Sequence, residues 1–114
     1  MKLFHNPKCS KSRQAKQLLD QSGVEYQTRL YLQNPLNVDE LNILLVKLDL
    51  CILDIIRIKE PIWQENFKDR EYDDCDLVKI VADNPKLMER PIIENNRVAV
   101  IARSIDKITQ IINS

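Results

Sequence analysis

Short β-rich runs and helical apolar stripes follow one another along this chain, and their order constrains the fold more than any other feature. Leu3-Phe4-His5 reads as a short buried strand that meets the turn signal Asn6-Pro7. The spacing predicts a helix over about 10–22, with Ala15, Leu18 and Leu19 on its buried side. Gly23, the only glycine in the chain, stands where a helix C-cap takes a positive φ. Glu25 to Leu32 reads as the next strand, with Tyr26, Thr28, Leu30 and Leu32 alternating against polar neighbours, and Asn34-Pro35 breaks it.

Asn37 with Glu40 three residues later forms a capping-box pattern that opens a helix. Leu41, Leu44, Leu45 and Leu48 then repeat at helical spacing as one broad apolar stripe. A short apolar helix over Cys51 to Ile56 leads into Arg57-Ile58-Lys59-Glu60-Pro61. Asp74 or Asp76 starts another helix with Leu77, Ile80 and Val81 buried, and Asn84-Pro85 ends it. Pro91 to Glu94 and Val98 to Ala102 read as two strands joined by a tight turn at Asn95-Asn96. Ile105, Ile108, Ile111 and Ile112 close the chain as an amphipathic helix. The order is βαβ, a helical insertion, then ββα, which predicts an α/β arrangement on one sheet.

With 114 residues the chain is about one domain long and can bury one modest core. No apolar run approaches the ~18 residues that span a bilayer. The start, Met1-Lys2-Leu3-Phe4-His5, lacks the apolar stretch of a signal peptide, so a cytoplasmic location is expected. A formal net charge of zero argues against bulk attraction to nucleic acid or an anionic membrane. The distribution is uneven, however. Residues 1–16 carry Lys2, Lys8, Lys11, Arg13 and Lys16 and no acid, whereas residues 60–76 are strongly acidic and read as a solvated helical face.

The basic end surrounds Cys9, one of three cysteines. None of them forms a C-x-x-C pair, which in a cytosolic chain disfavours both a disulfide framework and a zinc site. Cys9 lies between the first strand and the first helix. A thiol there meets the unpaired backbone N–H groups and positive dipole of a helix start, which favour the thiolate, the nucleophilic form. The same N–H groups can hold an oxyanion beside the sulfur. Taken alone, these residues leave open a blander reading in which Cys9 is a small buried residue and the cations form a solvated face. For Cys51 and Cys75 a structural role is the expectation. Arg57, Arg90 and Arg103 each stand at an element edge, where guanidinium groups suit multidentate oxyanion recognition but equally serve as ordinary surface charges.

The segment His5-Asn6-Pro7-Lys8-Cys9-Ser10-Lys11-Ser12-Arg13 resembles the catalytic loop of the glutaredoxin-linked arsenate reductase family, H-N-P-x-C-x-x-S-R. The likeness continues through Leu30-Tyr31-Leu32-Gln33-Asn34-Pro35, Arg57-x-Lys59-Glu60, the run Asn84 to Ile93, and Arg103, and so covers essentially the whole chain. The resemblance implies a thioredoxin-like mixed sheet flanked by helices, one domain over 1–114, with a helical insertion over roughly 36–88. It implies Cys9 as nucleophile, Arg57, Arg90 and Arg103 as oxyanion-binding residues, His5 as the modulator of the thiol, and a cis Arg90-Pro91 bond. It further implies reduction of arsenate or a similar oxyanion, glutathione as co-substrate, glutaredoxin as partner, and no bound cofactor or metal. After Cys9 the chain has Ser10-Lys11-Ser12 where well-studied relatives favour Gly-Thr-Ser.

Two other functions share this kind of fold. Spx-type regulators bind RNA polymerase and commonly carry a C-x-x-C switch at this loop, where this chain has Ser12 in the fourth position. A thiol-disulfide oxidoreductase acting on glutathionylated proteins needs the same thiolate but not three arginines.

Overall fold

Leu3 and Phe4 are neighbours in a three-residue strand, so their side chains point to opposite faces, yet both are at most 2% exposed. Both faces of the sheet must therefore be covered. The computed structural model, which describes residues 1–114, shows how. In chain order the elements are β1 (Lys2–Phe4), α1 (Ser10–Ser22), β2 (Gln27–Arg29) and α2 (Val38–Leu48). A 3-10 turn (Ile52–Ile55), α3 (Pro61–Asn66), α4 (Asp74–Asp83) and a second 3-10 turn (Pro85–Leu87) follow. The chain closes with β3 (Ile92–Glu94), β4 (Ala99–Ile101) and α5 (Ile105–Ile112). Every element between β2 and β3 is helical.

The sheet order is β2-β1-β3-β4, with β1 parallel to β2 and antiparallel to β3, and β3 antiparallel to β4. The register aligns Leu3 with Ile93 and Val100 on one face, and Phe4 with Ile92 and Ile101 on the other. The first row packs with Ala15 and Leu19 of α1 and Ile108 and Ile111 of α5. The second packs with Leu41 and Leu44 of α2, Ile55, Leu77 and Val81 of the helical stretch, and Leu87. This mixed α/β sheet with helices on both faces is the thioredoxin-like arrangement expected from the sequence. No helix is long and apolar enough to cross a membrane.

Local signals placed several boundaries correctly. Gly23 caps α1 at φ 75°, a left-handed conformation that costs glycine little. Asn37 and Glu40 form the full capping box: Glu40 N–H donates to Asn37 Oδ1 at 2.8 Å and Asn37 N–H to Glu40 Oε1 at 3.1 Å. Asp73, just before the expected start, caps α4 by accepting from Asp76 N–H at 2.8 Å.

Other expectations need correction. The second strand is only Gln27–Arg29, because the chain turns at once: Gln33 and Asn34 N–H both donate to Leu30 C=O. That turn breaks the alternation, leaving Thr28 exposed and bringing Tyr31 to 0% exposure. Leu18 and Ile80 are half-buried rather than core, Val78 taking the inward position on α4. Ile105, at the first turn of α5, is 68% exposed. The tight turn falls one residue later than expected: Asn95 N–H donates to Val98 C=O at 2.9 Å across Asn96-Arg97, and Asn95 Oδ1 accepts from the N–H groups of Arg97 and Val98 at 2.8 Å each. The acidic stretch is helical only in part. Apart from Glu60, its acids face water while Trp63, Phe67 and Tyr72 cluster beneath, with ring centroids 5.8–6.4 Å apart.

Glu40 also pairs with Arg29, tying the edge strand β2 to α2. The Arg29 guanidinium foremost, then the Asn37 amide, holds the Glu40 carboxyl at about 2 against an ordinary 4.5. A depressed carboxyl contributes stability that is present above pH 4.5 and is lost as pH falls toward 2. Glu40→Gln is expected to lower stability by about 0.5–1 kcal/mol at neutral pH, since water screens this partly exposed pair. Denaturation of both proteins across pH checks this: the gap should close below pH 4.5, and a gap that persists in acid would contradict it.

Candidate active site

The site is built at the C-terminal end of β1. Beyond Phe4, His5 N–H continues the parallel ladder by donating to Arg29 C=O at 2.9 Å, and then Asn6-Pro7 turns the chain into α1. Cys9 is the N-cap of that helix, with extended backbone (φ −96°, ψ 123°). A buried polar network supports the loop. Ser12 Oγ is hydrogen-bonded to His5 Nδ1 at 2.6 Å and accepts from Asn6 N–H at 3.0 Å. Asn6 Oδ1 accepts from Lys8 N–H, and Arg13 reaches back to Pro7 C=O. His5, Asn6 and Ser12 are 6%, 8% and 0% exposed.

The charges in this loop separate by role. Burial, with the Lys16 and Arg13 charges added, holds His5 below its ordinary 6.5, so the imidazole is neutral at pH 7. For Cys9, burial pushes the thiol up, but opposing effects prevail and the net shift is downward from 9.0. Those effects are the Ser12 amide, the Arg90 guanidinium and the Lys11 amide, all facing the sulfur. Cys9 makes no side-chain capping bond of ordinary geometry, so the helix start is left to act on the sulfur as an anion site.

The three arginines occupy different places. Arg90, joined to Pro91 by a cis bond as expected, lies close enough to Cys9 for its charge to act on the thiol. It also lies 3.8 Å from Glu60, which is hydrogen-bonded to Arg57. Arg57 and Arg90 are thus linked through one carboxylate. Their backbones are brought together by a bridge between Ile56 and Met88 and by Arg57 N–H donating to Leu87 C=O at 2.7 Å. Arg103 stands further out, 52% exposed at its side chain and 3.4 Å from Glu89. Arg57, Glu60, Glu89 and Arg103 line one open pocket of about 430 Å³. Lys8 and Lys11 are exposed. Cys51 and Cys75 are free and exposed, and no acidic or His/Cys cluster suited to a metal is present.

Sequence reasoning overlooked four members of this site. Ser12 enters the sequence reading as the serine of the loop motif and as the absent second cysteine, with no role assigned to it, whereas it holds the loop. Glu60 and Glu89, which neutralise the arginines, gave no signal beyond the Arg57/Glu60 spacing. Tyr31 was placed within a strand, where its phase pointed away from the core.

Together the fold and site define a thioredoxin-like protein with a single low-pKa thiol at a helix start, backed by an arginine. Comparison with known proteins narrows this class. The ArsC family profile matches residues 4–111. An uncharacterized Escherichia coli K12 protein, YfgD, is 39% identical over 114 residues, covering 98% of this chain and 96% of the relative. An arsenate reductase of Neisseria meningitidis serogroup A is 36% identical, covering 98% and 97%. The solved arsenate reductase of Vibrio cholerae superposes with a TM-score of 0.90 at 36% identity, covering 97% of this chain and 98% of that one. The chain belongs to the ArsC family.

Proposed function

We propose that this protein reduces arsenate, or a similar oxyanion, through a covalent adduct on Cys9, with glutathione and glutaredoxin returning the free thiol. The observation that carries this reading is the convergence of the Ser12 and Lys11 amides and the Arg90 guanidinium on one sulfur. That arrangement stabilises the nucleophile and offers the donors a bound oxyanion needs. The names of close relatives supply the substrate.

In this mechanism the Cys9 thiolate attacks arsenic, an S–As bond forms, and one As–O bond breaks with its oxygen leaving as water after protonation. Glutathione displaces a second oxygen in the same way, giving an arsenic(V) centre held by two sulfurs. The glutaredoxin thiolate then attacks the glutathione sulfur. The new S–S bond forms, the As–S electron pair stays on arsenic, and arsenic(V) becomes arsenic(III). Water releases arsenite and returns the Cys9 thiol. Arg90 and Arg57 neutralise charge on the arsenic oxygens, their guanidinium forks exchanging the Glu60 carboxylate for substrate oxygen. No second thiol of this chain takes part, in keeping with Ser12 four positions into the loop.

The test is arsenate-dependent NADPH oxidation coupled through glutathione, glutaredoxin and glutathione reductase. Turnover that requires all three components supports the reading, and no turnover refutes it. Arg57→Ala and Arg103→Ala distinguish it from thiol-disulfide exchange. Both are expected to raise the KM for arsenate, with the larger effect at Arg57, while reduction of a glutathionylated peptide is unchanged. Equal losses in the two assays would count against an oxyanion role for these arginines.

A further inference from the structure

The phenol oxygen of Tyr31 is buried without a hydrogen-bond partner, and no other side-chain polar atom in the protein is in that position. Tyr31 is 0% exposed, two residues beyond β2, where the chain runs beside the end of β1 and the Cys9 loop. Its ring packs in the same core as Phe4 and as Ile56, Leu87 and Met88, the last three of which bring the Arg57 and Arg90 segments together. The hydroxyl lies near Arg90, Cys9 and Arg57, and no hydrogen bond joins it to any of them.

An unpaired buried hydroxyl is costly and calls for an explanation. Its neighbours supply one. A guanidinium carries only donors, so neither arginine can accept the phenol proton. The neutral O–H is therefore a donor held beside cations, and no acceptor is bonded to it in this structure. Burial, the dominant influence, pushes this phenol up from 10.0 and keeps it protonated as a donor.

We infer that Tyr31 is a further oxyanion-binding residue, its O–H donating to an oxygen of the anion held between Cys9, Arg90 and Arg57. The inference rests on the oxyanion reading of the site. The hydroxyl adds a neutral, fixed donor where the arginines add charge, so it positions the anion without increasing the repulsion among cations.

Tyr31→Phe keeps the ring and removes the donor. Alkylation of Cys9 by iodoacetamide, followed at the Cys9 peptide by mass spectrometry, reports oxyanion binding as protection by arsenate. The half-protecting arsenate concentration is expected to rise about tenfold or more in the variant, the usual effect of one lost hydrogen bond to a charged group. Without arsenate, the pH profile of alkylation should be unchanged, because the hydroxyl makes no bond to the sulfur. Equal protection in both proteins overturns the inference. So does an arsenate-free profile displaced enough to account for the loss, since the hydroxyl would then act on the thiol. Failure of arsenate to protect the wild type overturns the oxyanion reading itself. If the variant does not fold, an isotope label at tyrosine Cζ in the wild type decides the matter. The Tyr31 signal should move on arsenate addition while those of Tyr26 and Tyr72 stay, and a stationary Tyr31 signal overturns the inference.

Discussion

Cys9→Ser is expected to reduce arsenate turnover to background while leaving the protein at least as stable as the wild type. The two halves of this result have separate physical causes. A serine hydroxyl is a far weaker nucleophile at neutral pH, and the positive surroundings of the site cannot ionise it as they do a thiol. Position 9 is also the N-cap of α1, where the thiol makes no side-chain capping bond. Serine is among the preferred residues there, and its oxygen can accept from an amide of the first turn, a gain of about 0.5–1 kcal/mol. Thermal denaturation beside the coupled assay reads both effects. Turnover retained in the variant would remove Cys9 from the chemistry, and an unfolded variant would show that the thiol is needed for structure.

Arg90→Ala should have the second largest effect. Removing one preorganised donor from an oxyanion site typically costs about 10²–10³ in rate, and Arg90 is the arginine whose charge acts on the Cys9 thiol. It is also one of the groups that lower the Cys9 thiol, so its loss should move the pH midpoint of Cys9 alkylation upward toward 9.0. Arg90→Lys separates these contributions. The ammonium restores much of the charge and should return the midpoint part of the way, but it lacks the planar fork and should recover little of kcat/KM for arsenate. An alkylation midpoint that stays put in Arg90→Ala would mean the helix start alone sets the thiol. The Ser12 and Lys11 amides would then carry the whole effect.

The carboxylates bear on both results. Glu60 lies between Arg57 and Arg90, and Glu89 holds Arg103, so an oxyanion bound as proposed would compete with internal anions for the same guanidinium groups. That competition weakens binding of any single anion. Glu60 also spares the site two unpaired guanidinium charges side by side, those of Arg57 and Arg90.

How much of this was legible in the sequence follows from the range of each interaction. Helix ends are decided within a few residues, so Gly23 and the Asn37/Glu40 box marked real boundaries. Cys9 was legible for the same reason: a thiol at a strand-to-helix turn needs only its own loop and the first helical turn to become an anion site. The alternating strands on two covered faces were legible from the order of the elements.

Other features depended on residues far apart in sequence. Ile80 and Val78 are both apolar on one short helix, and only contact with the sheet and the 3-10 turns selects which one faces inward. Arg57, Arg90 and Arg103 look alike as residues at element edges. The antiparallel bridge between Ile56 and Met88 sets Arg90 beside the Cys9 loop and Arg57 one carboxylate away, while Arg103 remains near the surface. Tyr31 is the extreme case. A local period of two turned it outward, but the turn at Leu30 and the closing of the core turned it in toward Cys9, with its hydroxyl unpaired. Local hydrogen bonding and periodicity determined where the Cys9 thiol sits. Packing between distant segments decided which charges and donors surround it, because electrostatic and packing energies depend on distance in space and not on separation along the chain.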